Sequence, residues 1–357
     1  MTFEVVEIKS LDQINEYKEM IIDFEITDPY AQFDFIETFD IGINNLICFK
    51  FSKNETKLAM PGYLNPIVIN GKETGYFDFK SPYGYSGPFY SKNIDVSDLE
   101  IFWKAVDQWY TENNVVTEFI RFNLFGNESS YSGKIVPTML NIRGEILEEE
   151  VQWKSFDQKV RKNVNRAKRE LLTSKVFYQD IEDDIISEFH DIYIQTMIRT
   201  NANQNFFYSF EQFKSFVNNN REYAAICTIY FEEKAISSEL LLVSDDAIYS
   251  FLGGTNDLYF DKRPNDFLKV EALNWARNND KKYYVLGGGY GFEDGIFKYK
   301  KSFFPNDVVP FYTGRKILNQ TIYNDLLNQT SQYRKNIGLE EIDSTDESFF
   351  PLYNKQN

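Results

Sequence analysis

"YAAICTIYFEEKAISSELLLVSDDAIYSFLGG", residues 223–254, decides the fold. Its three apolar runs, 223–231, 236–243 and 247–254, are each of strand length and rich in β-branched or aromatic residues, and the first two are joined by the tight "EEKA" turn. The stretch reads as a strand meander. Beyond it Pro264 and Asn265 close a loop, Leu268, Ala272, Trp275 and Ala276 recur at helical spacing, and "KYYVLGGG" (282–289) returns as a strand. The first half repeats this order with different letters. "LICFKF" (46–51), "IVI" (67–69) and "GYFDF" (75–79) precede a helix in which Leu99, Phe102, Trp103, Val106 and Tyr110 form one face, and "EFIRFNLF" (118–125) follows as a strand. Ser97 with Glu100 predicts a capping box for that helix. The expected fold is α+β: two tandem lobes, each a mostly antiparallel sheet flanked by helices. The acidic stretch "GEILEEE" (144–150) sets the boundary, giving 1–150 and 151–357, the second lobe opening on a basic helix 157–172 and closing on a C-terminal helix.

A chain of 357 residues, 43% apolar and 17% aromatic, has enough apolar surface for one large core or two ordinary ones. Its net charge of −16 disfavours general attraction to nucleic acid and argues against DNA as a partner, so any polyanion must meet a local basic patch. The N-terminus lacks a basic region followed by a long apolar run, and no stretch approaches a membrane span, so a cytoplasmic address is expected. Cys48 and Cys227 lie in apolar strand-like runs as buried thiols, and with His190 the single histidine no metal-ligand cluster is expected.

Two segments stand out against that background. "KSFDQKVRKNVNRAKR" (154–169) carries seven cations against Asp157, with Val160, Val164, Ala167 and Leu171 on the opposite, apolar face. "LGGGYGFEDGIFKYKKSFFP" (286–305) is glycine-rich after a strand, yet it ends in no Gly-Lys-Ser/Thr and spaces its glycines wrongly for a dinucleotide fingerprint.

The segments "SPYGYSGP" (81–88), "DQKVRKNVNRAK" (157–168), "IYIQTMIRTNA" (192–202), "SFLGGTNDLYFDKRPNDFLKVEALNWA" (250–276) and "LGGGYGFEDGIFKYKKSF" (286–303) occur in the order seen in FemAB-like proteins, which the chain resembles over most of its length. That family joins two GNAT-type lobes. It includes the aminoacyl-tRNA-dependent enzymes that build peptidoglycan cross-bridges and N-acyltransferases associated with surface polysaccharides. No long helical arm interrupts residues 170–280, so the resemblance is to members without a coiled coil.

Acyl transfer to an amine requires a base, a partner for the developing oxyanion and an anchor for an anionic carrier. Glu239, a carboxylate on a half-buried strand whose pKa burial would raise, and Asp294 are the candidate bases. The resemblance places Lys300 and Arg199 on an acceptor phosphate, with Gly288 and Gly289 in the site loop and Tyr83 and Tyr85 on an exposed turn of lobe one. In an ordinary GNAT lobe the donor's pyrophosphate lies where this chain has "YFDKRPN" (259–265), with Tyr259, Lys262 and Arg263 but no glycine. Arg161, Lys162 and Arg166 form the candidate patch for an anionic donor. These readings imply an acyl- or aminoacyl-transferase acting on an amine of a nucleotide- or lipid-linked cell-envelope precursor. The donor is aminoacyl-tRNA or acyl-CoA, no cofactor is tightly bound, and the surface meets charged tRNA or, transiently, a membrane. Acyl-CoA-dependent N-acetylation of an amino sugar, and a non-catalytic module binding a sugar nucleotide or partner, remain the alternatives.

Overall fold

The meander 223–254 forms three antiparallel strands, and the rest of the chain is built around such meanders. The computed structural model describes residues 1–39, 43–90 and 94–356. In chain order the first elements are β1 (Thr2–Glu7), α1 (Leu11–Asp23), α2 (Phe33–Phe39), β2 (Leu46–Lys53), β3 (Thr56–Ile69), β4 (Lys72–Lys80), β5 (Phe89–Tyr90), α3 (Val96–Glu112) and β6 (Val115–Arg121). Next come β7 (Lys134–Glu145), α4 (Glu149–Ser155), α5 (Gln158–Arg169), β8 (Thr173–Tyr178), α6 (Asp183–Arg199), α7 (Phe210–Asn219), β9 (Ala224–Phe231), β10 (Lys234–Val243) and β11 (Ala247–Thr255). The chain ends with α8 (Pro264–Asn278), β12 (Tyr283–Gly287), α9 (Gly295–Lys301), β13 (Val308–Ile317) and α10 (Gln320–Asn336).

Two compact units result: Met1–Thr138 with Phe311–Asn357, and Met139–Pro310. This division corrects the expected boundary, because the last 47 residues belong with the first unit and not with 151–310. The reason is pairing. Thr313–Ile317 of β13 hydrogen-bonds antiparallel to Thr117–Arg121 of β6, and the C-terminal segment is fastened to β4 through Asp78, which accepts from the Tyr353 hydroxyl and from Asn354. The expected C-terminal helix exists as α10, whose Tyr323 and Leu326 pack on Ile67, Ile69 and Val116 of the first unit.

Each unit has the same sheet logic. In the first, β1, β2, β3 and β4 run antiparallel in order, β4 pairs parallel with β6, and β6 pairs with β13. In the second, β8, β9, β10 and β11 are antiparallel neighbours, β11 pairs parallel with β12, and β12 pairs antiparallel with β7. A parallel neighbour requires a crossover, and α3 and α8 supply it. The apolar face expected for α3 is buried against Phe49, Phe51 and Phe79. Its cap differs from the expected box: Asp95 accepts from the Ser97 N–H, since the helix begins two residues earlier than Ser97 would allow.

In the second unit Val160, Val164 and Ala167 of α5 pack with Cys227, Ile229, Leu268 and Ala272. The helix stops at Arg169, short of the expected 172. Leu171 has φ of +59° and is 79% exposed, so Leu172 takes the buried place expected of it. His190 lies 3.1 Å from the Tyr208 carbonyl and packs edge-on against Phe210 and Phe213, a structural role.

Candidate active site

Parallel pairing between β11 and β12 covers only Ala247–Tyr249 against Tyr283–Val285. Beyond Tyr249 the two strands follow different partners: β11 continues along β10, and β12 shifts register against β7 between Val285 and Gly287. A β-bulge between β10 and β11 skips Phe251, so that Leu241 faces Ser250 while Leu240 faces Leu252. Without the bulge, alternation would turn Ser250 to the other face; with it, Ser250 shares a face with Glu239.

Glu239, Ser250, Lys269 and Tyr284 meet there. Glu239 Oε1 accepts from Lys269 Nζ at 2.5 Å and from Ser250 Oγ at 2.5 Å, and Lys269 Nζ also reaches Ser250 Oγ at 2.8 Å. Tyr284 Oη donates to Glu239 Oε2 at the longer distance of 3.4 Å. Glu239 is therefore buried and ion-paired, where the sequence suggested a lone carboxylate on a half-buried strand. Such a carboxylate holds a cation in place first, and offers only Oε2 for other work.

Lys300 on α9 is the neighbouring cation. Its Nζ donates to the Gly288 carbonyl at 2.7 Å. Burial, then the nearby Lys269 ammonium, pushes Lys300 down to about 8, against the opposing pull of Glu239 and Asp294. An ammonium has three donors, and this one meets a single acceptor among the described residues. Tyr299, the preceding residue, has a buried hydroxyl with no hydrogen-bond partner among the described residues. Burial and the Asp266 and Glu239 carboxylates raise its pKa well above normal, which keeps it a neutral donor.

Asp294 does a different task from the one expected. Its Oδ1 accepts from the Phe297 N–H at 2.8 Å, and its Oδ2 from Tyr290 and Gly291 at 2.7 and 3.1 Å. These bonds, that to Phe297 foremost, hold its carboxyl below the usual range, so it caps α9 and makes a poor base. Gly289 serves that cap: a Cβ there would come within 2.0 Å of Asp294 Oδ1. A Cβ on Gly288 would meet the Leu140 carbonyl at 3.0 Å. The glycines are thus explained by packing, with the Gly288 carbonyl as the group that touches Lys300.

The remaining candidates are dispersed. Arg199 ends α6 with its guanidinium 5.0 Å from the Phe260 ring centre, and is exposed. Lys262 is spent on Glu170 at 2.8 Å and on the Phe231 ring, and Tyr259 packs on Phe231. Arg263 precedes α8 with φ of +64°. Pro264, which has no N–H, is the first residue of α8, and the buried Asp266 carboxyl, raised by desolvation, occupies its first turn 3.1 Å from Asn163. Pro264 thus removes one amide from this helix start and a buried carboxyl stands in its first turn, an arrangement less suited to a pyrophosphate than open amides would be. Within the basic helix Arg161 donates to the Lys154 and Phe156 carbonyls, and Arg166 faces Glu170 and Asp261. The open groove of that face is lined by Arg161, Lys162, Lys168 and Arg169, with Gln158 and Asn165. In the first unit Tyr85 is wedged between Tyr30 and Phe311 while Tyr83 is 47% exposed. No cluster able to hold a metal occurs among the described residues, and both cysteines are free and buried.

Residues 158–301 match the acetyltransferase (GNAT) domain model. The matched stretch lies within the second unit, Met139–Pro310. The whole chain is similar to solved structures. FemX aligns with a TM-score of 0.61 at 11% identity, covering 90% of this chain and 99% of that one. The C-terminal domain of a chain named as a lysylphosphatidylglycerol synthetase from Agrobacterium fabrum aligns with a TM-score of 0.58 at 13% identity, covering 87% and 94%. L-PGS from Bacillus licheniformis aligns with a TM-score of 0.52 at 11% identity, covering 89% and 95%. At these identities the likeness is one of fold. No curated protein matches the chain. No helix among the described residues is long and apolar enough to cross a membrane.

Proposed function

We propose that the chain transfers an aminoacyl group from charged tRNA to an amine on an anionic, nucleotide- or lipid-linked cell-envelope precursor. The observation that carries this reading is Lys300, which meets a single acceptor among the described residues and lies within electrostatic reach of the Lys269–Glu239 pair. A cation so placed takes a phosphate or carboxylate of the acceptor. The amine nitrogen attacks the acyl carbon, the ester C–O bond to the tRNA ribose breaks, and the ammonium proton leaves to a base. Glu239 Oε2, with only the long contact from Tyr284, is the carboxylate oxygen available for it. Pro264 and the Asp266 carboxyl at the start of α8 favour tRNA over CoA, and the groove lined by Arg161, Lys162, Lys168 and Arg169 supplies cations for phosphates.

Calorimetric titration of UDP-linked muramyl peptide, and of simpler UDP-amino sugars, tests the acceptor. Lys300→Met should cost about 1.5–3 kcal/mol of binding, the worth of a charge-assisted hydrogen bond. Unchanged affinity would remove Lys300 from the site.

A further inference from the structure

Of the eight exposed large apolar side chains of the second unit among the described residues, five lie on segments that meet at one edge of its sheet. Ile198, Leu258, Phe260, Tyr290 and Phe292 are 65, 78, 43, 85 and 72% exposed. Because β11 and β12 are parallel neighbours, the segments that follow them, with Leu258 and Phe260 on one and Tyr290 and Phe292 on the other, leave the sheet at the same edge. The Arg199 guanidinium over the Phe260 ring brings the end of α6, and with it Ile198, to that edge. It is also the edge where Gly288 and Lys300 lie. Five such side chains on one edge form an apolar surface of the kind that marks an interaction site.

The charges beside them have one sign in excess. Arg199, Arg263, Lys298 and Lys301 carry no ion pair among the described residues; of the acids on the same segments Asp257 and Glu293 likewise carry none, Asp294 caps α9, and Asp261 stands near Arg166, while Lys262 is paired with Glu170. This is a cationic edge in a chain of net charge −16. Leu258 and Phe260 lie on the short 3-10 helix Asp257–Lys262, Tyr290 and Phe292 on the loop before α9 and Ile198 in the last turn of α6, each with a cation on the same segment or the one that follows, which is the arrangement that dips into a headgroup layer. We propose that this edge docks on an anionic lipid surface, with Leu258, Phe260, Tyr290 and Phe292 entering the interface and the four cations meeting lipid phosphates. The site then opens toward the bilayer. The proposal does not depend on which acyl group is transferred.

The test is co-sedimentation of the full chain with vesicles of phosphatidylcholine alone and of phosphatidylcholine with one quarter phosphatidylglycerol. Binding is expected only to the second, weakened by 0.5 M salt, and reduced about tenfold or more in the Leu258→Ser/Phe292→Ser double variant. A Tyr290→Trp variant should show blue-shifted emission on adding those vesicles. No binding to either vesicle, equal binding to both, or an unaffected double variant would overturn the proposal. So would a concentration-dependent dimer abolished by the same two substitutions, which would assign the edge to a second copy of the chain. None of these readouts uses turnover, so failure here leaves the transfer reading standing.

Discussion

Lys269 Nζ lies 2.5 Å from Glu239 Oε1, with the two side chains 8 and 6% exposed. A pair so buried contributes little net stability, but breaking it leaves an unpaired charge in the core. Glu239→Gln and Lys269→Met should each cost about 3–5 kcal/mol of unfolding free energy, while the double replacement Glu239→Leu/Lys269→Met should cost less than either. Urea unfolding of the three variants checks this. Losses that simply add would mean that the two side chains act separately.

Because Lys300 is held at about 8, its anion contact should fade as pH rises through 8, some two pH units earlier than for an ordinary lysine. Acceptor affinity measured between pH 6.5 and 9.5 should fall in that window and be flat in Lys300→Met. Stability runs the opposite way. The unfolded chain binds the proton up to about 10.4, so the wild type should gain stability between about pH 8 and 10, while below 8 it carries the full penalty. Lys300→Met removes that penalty and should raise Tm at pH 7 by about 2–4 °C.

Tyr299→Phe deletes a hydroxyl that has no partner among the described residues. Stability should rise, by up to about 1–3 kcal/mol, since a buried hydroxyl without a partner carries a desolvation cost that the phenyl ring does not. If the hydroxyl donates to the reacting acyl oxygen, turnover should nevertheless fall by about 10²-fold, as for loss of one oxyanion donor. Unfolding curves and initial rates of the same variant separate the two effects.

The strands and helices of the second unit were legible because each satisfies a local rule: the meander is three apolar runs of strand length parted by turn residues, α8 has Pro264 at its start, and α5 has one apolar face. The C-terminal segment was not, because the partners that draw it to the first unit, Glu118 for Lys316 and Asp78 for Tyr353, are separated from it by some two hundred residues or more. The site shows the same division. Glu239 could be singled out by type and place and Lys300 through the resemblance, but the bulge that turns Ser250 toward Glu239 follows from strand register, and the pairing of Lys269 with Glu239 joins residues on different elements. Arg161 looked like a free cation because its acceptors are backbone carbonyls, which every sequence has.

That distinction is itself measurable. Neutralising Lys162, Lys168 and Arg169 should flatten the salt dependence of tRNA binding by about 0.7–0.9 in log–log slope for each phosphate left unneutralised. Arg161→Met should instead lower stability with a smaller change in slope, since its guanidinium ties the turn before α5. Filter binding at several salt concentrations decides between them.

The most direct measurement is mass-spectrometric analysis of UDP-linked muramyl peptide incubated with the purified chain and either a charged tRNA pool or acetyl-CoA. The account predicts an acceptor mass increased by one aminoacyl residue with charged tRNA, no comparable product with acetyl-CoA, and loss of the product in Lys300→Met. An acetylated acceptor, no shift with either donor, or a Lys300→Met variant as active as the wild type would contradict it.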